Sequence, residues 1–344
     1  MDCDFFDTHV VAFNSRKNTC TIEQKYVLVC ATQTMQHTDT IFRTICQAGA
    51  AVALLLVAGL FGQLCIHSAD AWQHFGLPFL WGSNWNPAID DYGALPHILG
   101  TLLTTFISLL LAIPLSFAVA LFITETPDWL NRPLSHCVDL LAAIPSVIYG
   151  MWGLFVLVPL MQDYVQPFLS ESLGLIHLPG GSWLLGEDGY GSGFGFLSAG
   201  VILALMVLPY MCAVMRDVFR MTPPMLRESA YGLGCTRLEV TRDVVVRYGI
   251  RGIIGGIFIG MGRALGETMA VLFVIGNLME NPAGLFSCGT TIAATLANNF
   301  AEATGLQQSA LFALGLVLLM MSFGIQLITR YYLSLTASKR GEKH

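Results

Sequence analysis

The stretch GIIGGIFIGMGRALGETMAVLFVIGN, Gly252–Asn277, decides the class of fold. It is apolar over a length that suits a membrane crossing, since about 30 Å of hydrocarbon takes around 20 residues of helix. Near its middle it nevertheless carries Arg263 and Glu267, four positions apart. A helix on the surface of a soluble protein keeps its apolar residues to one stripe, and this stretch is apolar on most sides. Five further runs of the same kind lie outward from it, at roughly 45–66, 97–123, 136–161, 195–215 and 307–329.

Composition points the same way. The chain has 344 residues, 54% hydrophobic and 12% charged, with a mean hydropathy of +0.63, whereas soluble domains carry about 25% charged residues. Together these features predict an all-α, polytopic membrane protein with six transmembrane helices.

Basic residues set the expected orientation, because Lys and Arg are retained on the cytoplasmic side. The segments 67–96, 162–194 and 277–306 contain neither, yet carry acids such as Asp70, Asp90, Asp163, Glu187, Glu280 and Glu302. These three loops are expected outside and both termini inside, in keeping with an even number of spans. The formal charge of −6 reflects the acidic outer loops. The basic stretches are accounted for by topology, so nucleic acid is not expected as a partner and membrane lipid is. Residues 1–42 read as a cytoplasmic extension of unknown role, 43–335 as the membrane domain and 336–344 as a cytoplasmic tail.

Several catalytic signatures are absent: G-x-x-x-x-G-K-[ST] for a nucleotide, H-E-x-x-H for zinc and G-x-S-x-G for a serine nucleophile. The nine cysteines show no C-x-x-C pair and read as small core residues. Neither a catalytic centre nor a metal site nor a cofactor is expected in this chain. The Gly-rich stretch GEDGYGSGFG, Gly186–Gly195, reads as a turn.

Two of the apolar runs hold prolines, Pro114 in the second and Pro145 in the third, the latter within LLAAIPSVIYGMWG, Leu140–Gly153. Proline removes a backbone donor and kinks a helix, and in hydrocarbon the freed carbonyls must find partners within protein or a watery cavity. Ser146 and Tyr149 stand beside the break, as packing partners for those carbonyls or as lining for a substrate path.

The basic loop Arg216–Arg251 is much longer than the other one at 124–134. Thr222 before Pro223 and Pro224 is a good helix start. About two turns follow from Met225 to Tyr231, with Gly232 and Gly234 able to end them, and a second helix is expected from Thr236. The short helix lies across the surface, offering Met225, Leu226, Tyr231 and Leu233 to a partner's groove or to lipid headgroups.

At this loop the sequence ESAYGLG, Glu228–Gly234, resembles the E-A-A-x-x-x-G motif of bacterial ABC importer permeases, with Ser229, Cys235 and Arg247 as departures. The third departure, where proline commonly ends the loop, leaves the turn into the fifth span open. LLAAIPSVIYGMWGLFVLVPL, Leu140–Leu160, GRALGETMAVLFVIGN, Gly262–Asn277, and ALPHILGT, Ala94–Thr101, are similar to phosphate-specific importer permeases, to their PstC type more than to the PstA type. The resemblance covers roughly residues 80–335 and implies the six-helix importer permease architecture in a bacterial inner membrane. It also implies alternating access, and a coupling helix in which Glu228, Ala230 and Gly234 dock onto a separate ATPase. The implied partners are a PstA-like permease, an ATPase dimer that binds ATP and Mg, and a periplasmic phosphate-binding protein. Another oxyanion as substrate, or transport driven by an ion gradient, is the alternative.

On a helical wheel with about 100° per residue, Gly252, Gly256, Gly260, Arg263 and Glu267 share one face, and small residues four apart let another helix approach closely. Two readings follow for the charges. In one, Arg263 and Glu267 form a pair that only neutralises itself. In the other, which the resemblance favours, Arg263 offers a forked donor set to an oxyanion and Glu267 orients it and limits how tightly the anion is held. Substrate-pathway residues are therefore expected to be Arg263, Glu267, Ser146 and Tyr149.

Overall fold

The computed structural model describes residues 22–172 and 191–338. The sequence expectations for residues 1–21, for Gly186–Tyr190 of the Gly-rich turn and for residues 339–344 lie outside the described residues. The chain divides into two compact units, up to Gly62 and from Gln63 onward. The first holds most of helix α1, Ile22–His67, which runs without interruption through the expected domain boundary at residue 42.

In the second unit the order is α2, Ala69–Phe75, a two-stranded antiparallel ribbon of β1, Trp85–Asn86, and β2, Asp91–Tyr92, then α3, Leu95–Glu125, and α4, Asp128–Ala143. Helices α5, Ser146–Ser170, and α6, Phe196–Arg220, follow, then α7, Pro224–Gly232, α8, Arg237–Leu265, and α9, Met269–Leu272. Helices α10, Ile292–Asn299, and α11, Gly305–Ser338, close the order. Six of the described helices, the distal part of α1 with α3, α5, α6, α8 and α11, are long and apolar enough to cross a membrane. The protein is an all-α, multi-pass membrane protein.

Helix α6 is central. Two thirds of its apolar window, 67%, is buried within the protein, whereas the corresponding windows of the other spans reach at most 33%. Large side chains on it, Phe196, Ile202, Leu203, Met206, Met211, Met215 and Phe219, are fully enclosed. Helix α8 packs along it through glycines. A Cβ on Gly252 would collide with Val218, one on Gly256 would lie 3.1 Å from Val214, and one on Gly260 would lie 2.6 Å from Met211. The partners descend in number as the glycines ascend, so the two helices are antiparallel in close register. The expected glycine stripe faces protein, and α6 is what it faces.

Two of the expected spans are placed differently. The third run, read as 136–161, is split at Pro145: α4 ends at Ala143, and the long apolar helix begins at Ser146. Helix α4 carries Asn131, Arg132, His136 and Asp139, too polar a set for hydrocarbon. The fifth run, read as 252–276, begins earlier and ends earlier, because the helix from Arg237 stops at Leu265 with Gly266 as its cap. At the start, Thr236 and Glu239 form a reciprocal capping box, and the helix passes straight through Arg247 with no turn there. Pro114 and Pro209 sit inside α3 and α6 without ending them.

On the acidic side, ALPHILGT fastens a small cap to the bundle. Ala94 N donates to Phe79 O at 2.8 Å, His97 is buried with its ring 4.7 Å from that of Trp85, and Thr101 Oγ1 accepts from Ile292 N at 3.0 Å. A Cβ on Gly100 would strike the carbonyl oxygen of Thr290. The residues of this motif thus serve close packing of α3 against the segment leading to α10.

Gly260→Leu is expected to lower the thermal midpoint of the detergent-solubilised protein, since overpacking of this kind costs about 1–3 kcal/mol. Gly255, around which a Cβ meets nothing, is the control, and equal midpoints for Gly260→Leu and Gly255→Leu would refute the α6–α8 seam.

Candidate substrate pathway and coupling surface

The glycine seam delivers Arg263 to Tyr210. One turn beyond Gly260, the Arg263 guanidinium carbon stands 4.1 Å from the centre of the Tyr210 ring on α6. Such a cation–π contact is worth about 0.5–2 kcal/mol, more when water is excluded, and a cation in the last turn of a helix gains roughly 0.3–1 kcal/mol from the helix dipole. Among the described residues no carboxylate pairs with Arg263, and its Nε is buried without a hydrogen-bond partner. Arg251 is the last basic residue before it, and twelve residues of helix at 1.5 Å each put Arg263 about 18 Å deeper, near the middle of a bilayer.

Tyr210 does a second thing. Its hydroxyl donates to Ala142 O at 2.8 Å, and the Tyr149 hydroxyl donates to Leu141 O at 2.9 Å. Both acceptors lie in the last turn of α4, where Pro145 has removed the continuing helix. Tyr149 thus fulfils the expected role of partner to the freed carbonyls. Tyr210 was not among the expected site residues. Its one signal in the sequence is a tyrosine beside Pro209 in an otherwise apolar run, a donor of the kind that the break at Pro145 requires.

Glu267 is placed otherwise than the helical wheel suggests. The wheel takes one continuous helix through Glu267, but α8 ends at Leu265, so Glu267 falls in the break and does not follow Arg263 by one helical turn. Its carboxylate accepts from Ala270 N at 3.4 Å, capping α9, and it forms no ion pair with Arg263. Ser146 is the first residue of α5, half-buried, and hydrogen-bonds to neither charge. The first two turns of α5 pack on α9 and the residues after it. A Cβ on Gly150 of α5 would lie 2.6 Å from the Phe273 ring and 3.0 Å from Met269 O, and one on Gly153 would lie 2.8 Å from Val274. Tyr210 thus connects Arg263 to the end of α4, Tyr149 bonds the same end from α5, Glu267 lies in the break after α8, and no hydrogen bond joins Ser146 to either charge; irregular backbone at membrane depth is tolerated where protein or a cavity receives it.

Helix α7, Pro224–Gly232, is the expected coupling element. It ends in a Schellman turn: Cys235 N donates to Ala230 O at 3.2 Å and Gly234 N to Tyr231 O at 2.9 Å, with Gly234 at φ +87°. Ala230 is buried, while Glu228, Met225 and Leu233 are exposed, and Met221 and Leu238 flank them. Arg227 secures the helix from beneath, donating to Phe219 O at 2.7 Å and lying 3.6 Å from Glu125. The result is an apolar platform with one acid on it, held rigidly to the ends of α3 and α6. Among the described residues no group of three His, Cys, Asp or Glu is placed to hold a metal.

A family model described as "Binding-protein-dependent transport system inner membrane component" matches residues 112–335. The "Phosphate transport system permease protein PstC" of Pasteurella multocida is 47% identical over 89% of this chain and 94% of its own length, and that of Haemophilus influenzae is 45% identical over 88% and 96%. The chain belongs to the PstC family of permeases. A more distant relative, the "Probable phosphate transport system permease protein PstC" of Methanocaldococcus jannaschii, is 35% identical over 88% of this permease. In three dimensions the permease is similar to a chain of the MetNI methionine ABC transporter in an inward-facing conformation, with a TM-score of 0.51 at 16% identity over 70% of this chain and 94% of that one. That likeness concerns the fold. As a transport permease it is a membrane component and not an enzyme, and the ion-gradient alternative falls.

Gly234→Val would force a branched side chain into a left-handed conformation, at a cost of about 1–3 kcal/mol. It is expected to reduce co-purification of an ATPase partner, while Gly232→Ala, inside the helix with open space about it, leaves co-purification unchanged. Equal recovery of the partner with both variants would remove α7 from the docking surface.

Proposed function

We propose that this permease carries inorganic phosphate from the periplasm to the cytoplasm across a bacterial inner membrane, by alternating access. It does so beside a homologous, PstA-like permease, with both termini and the basic side facing the cytoplasm. A periplasmic phosphate-binding protein delivers the anion to the acidic side, and an ATPase dimer, which binds ATP and Mg, docks on α7 through Glu228, Ala230 and Gly234. Residues 1–42 are an extension outside the transport domain 43–335, and 336–344 a cytoplasmic tail.

The observation that carries the reading is Arg263, a charge with no carboxylate partner among the described residues, laid on Tyr210, whose hydroxyl bonds the broken end of α4. A lone arginine at this depth costs about 2.5–3.5 kcal/mol on insertion scales, more than a structural role would return. The contact with Tyr210 uses none of the guanidinium's N–H donors in an ion pair, which keeps the forked donor set for an oxyanion. The passing phosphate is then the counter-ion. Glu267, held by Ala270 N, leaves Arg263 ready to accept. Movement of α9 against α5 on the opposite stroke brings the carboxylate toward Arg263, where it competes with the anion and favours release, as a site that must let go of its cargo requires. Ser146 and Tyr149 line the path from α5.

Arg263→Gln is expected to abolish phosphate uptake by the assembled complex in proteoliposomes, with assembly largely intact. Arg263→Lys, which loses the planar fork, should retain little activity. Glu267→Gln should slow release, giving lower uptake with more phosphate retained per complex. Near-normal uptake by Arg263→Gln would reduce the arginine to a packing residue and end the proposal.

A further inference from the structure

A second group of guanidiniums lies on the basic side, away from Arg263. Helices α4 and α6 flank an open cleft of about 440 Å³ lined by side chains that the transport path does not use. Arg216, its innermost cation with 11% of the side chain exposed, is already neutralised by Asp139 at 3.4 Å and Asp217 at 3.6 Å. Arg220 is held differently. It donates to the neutral Asn131 Oδ1 at 2.8 Å, and Ser135 Oγ donates to the same oxygen at 3.1 Å. Arg132 lines the cavity from the opposite helix and has neither a hydrogen bond nor an ion pair among the described residues. His136 stands beside it, exposed.

The lining thus holds two exposed guanidiniums that pair with no carboxylate among the described residues, one from each helix, together with an amide, a hydroxyl and the Asp139 carboxylate that Arg216 engages. That chemistry suits a phosphate-type oxyanion, which takes bidentate donors from arginine. On the neighbouring face of α4, Trp129 and Leu140 are exposed, and a tryptophan beside apolar surface marks the headgroup level of a bilayer. Arg220 is also in the last turn of α6, two residues before Thr222 and the start of α7, and Arg227 of α7 returns to Phe219 O.

We propose that this cleft binds a phosphate-type anion, inorganic phosphate or the phosphodiester headgroup of an anionic lipid, between Arg132 and Arg220. Its occupant ties α4 to the foot of α7. The site is separate from Arg263, and only its effect on coupling rests on the transport reading.

The test uses the purified complex in phosphatidylcholine nanodiscs, with Ser135→Cys as a reporter whose alkylation is followed by peptide mass spectrometry. If free phosphate is the ligand, inorganic phosphate slows alkylation about fivefold at four times its dissociation constant, and chloride at equal ionic strength does not. If a headgroup is the ligand, adding phosphatidylglycerol to the nanodiscs slows alkylation with no phosphate present. In either case Arg132→Gln with Arg220→Gln restores the unprotected rate, and Arg263→Gln leaves the protection in place, which keeps this site's failure distinct from that of the transport path. No slowing by either ligand, or slowing that survives loss of both arginines, would overturn the proposal.

Discussion

Hydrocarbon offers nothing to a freed carbonyl, and that constraint organises the centre of this protein. Pro145 interrupts the chain between α4 and α5; the hydroxyl of Tyr210 donates to Ala142 O, and that of Tyr149 to Leu141 O, which otherwise accepts only a long 3.4 Å bond from Ile144 N. An unsatisfied carbonyl in such surroundings costs several kcal/mol, so the two tyrosines are fixed in place by what they must satisfy. Tyr210, fixed in this way, presents its ring to Arg263. One backbone irregularity therefore determines where the isolated charge can rest.

The glycines of α8 belong to the same arrangement. Gly252, Gly256 and Gly260 bring α8 against Val218, Val214 and Met211 of α6, and the next turn sets Arg263 over Tyr210. Where the helix stops at Leu265, the chain is free of helical register, and Glu267 caps a different helix. A continuous helix would have held Arg263 and Glu267 one turn apart as a self-neutralising pair. The break separates them, and an arginine with no carboxylate partner among the described residues is what the proposed anion path requires. Gly150 lets the backbone of α9 approach α5, and Gly153 leaves room for the side chains of Val274 and Ile202.

Helix α6 links this centre to the basic side. Ten residues separate Tyr210 from Arg220, about 15 Å along the axis, and α7 follows after one short turn. Arg216 joins α6 to α4 through Asp139, and Arg227 joins α7 to α3 through Glu125. In the proposed cycle, a force applied at α7 reaches Arg263 along a helix whose apolar window is mostly buried and therefore stiff. The cleft between Arg132 and Arg220 lies beside this path.

Much of this was legible in the sequence. Six apolar runs, the one-sided distribution of basic residues, the glycine stripe and the ESAYGLG helix with its glycine stop are all local or periodic features, set by side-chain type and spacing alone. The ends of the third and fifth spans were not legible, because apolarity continues across Pro145 and Gly266 although helical hydrogen bonding does not. Nor did the sequence reveal Tyr210, or that Arg263 and Glu267 part company. Both depend on which donor from a distant helix reaches a freed carbonyl. Such partners are chosen by the packing of α6 against α4 and α8, over separations of 68 residues for Tyr210 and Ala142, and only the tertiary structure brings them together.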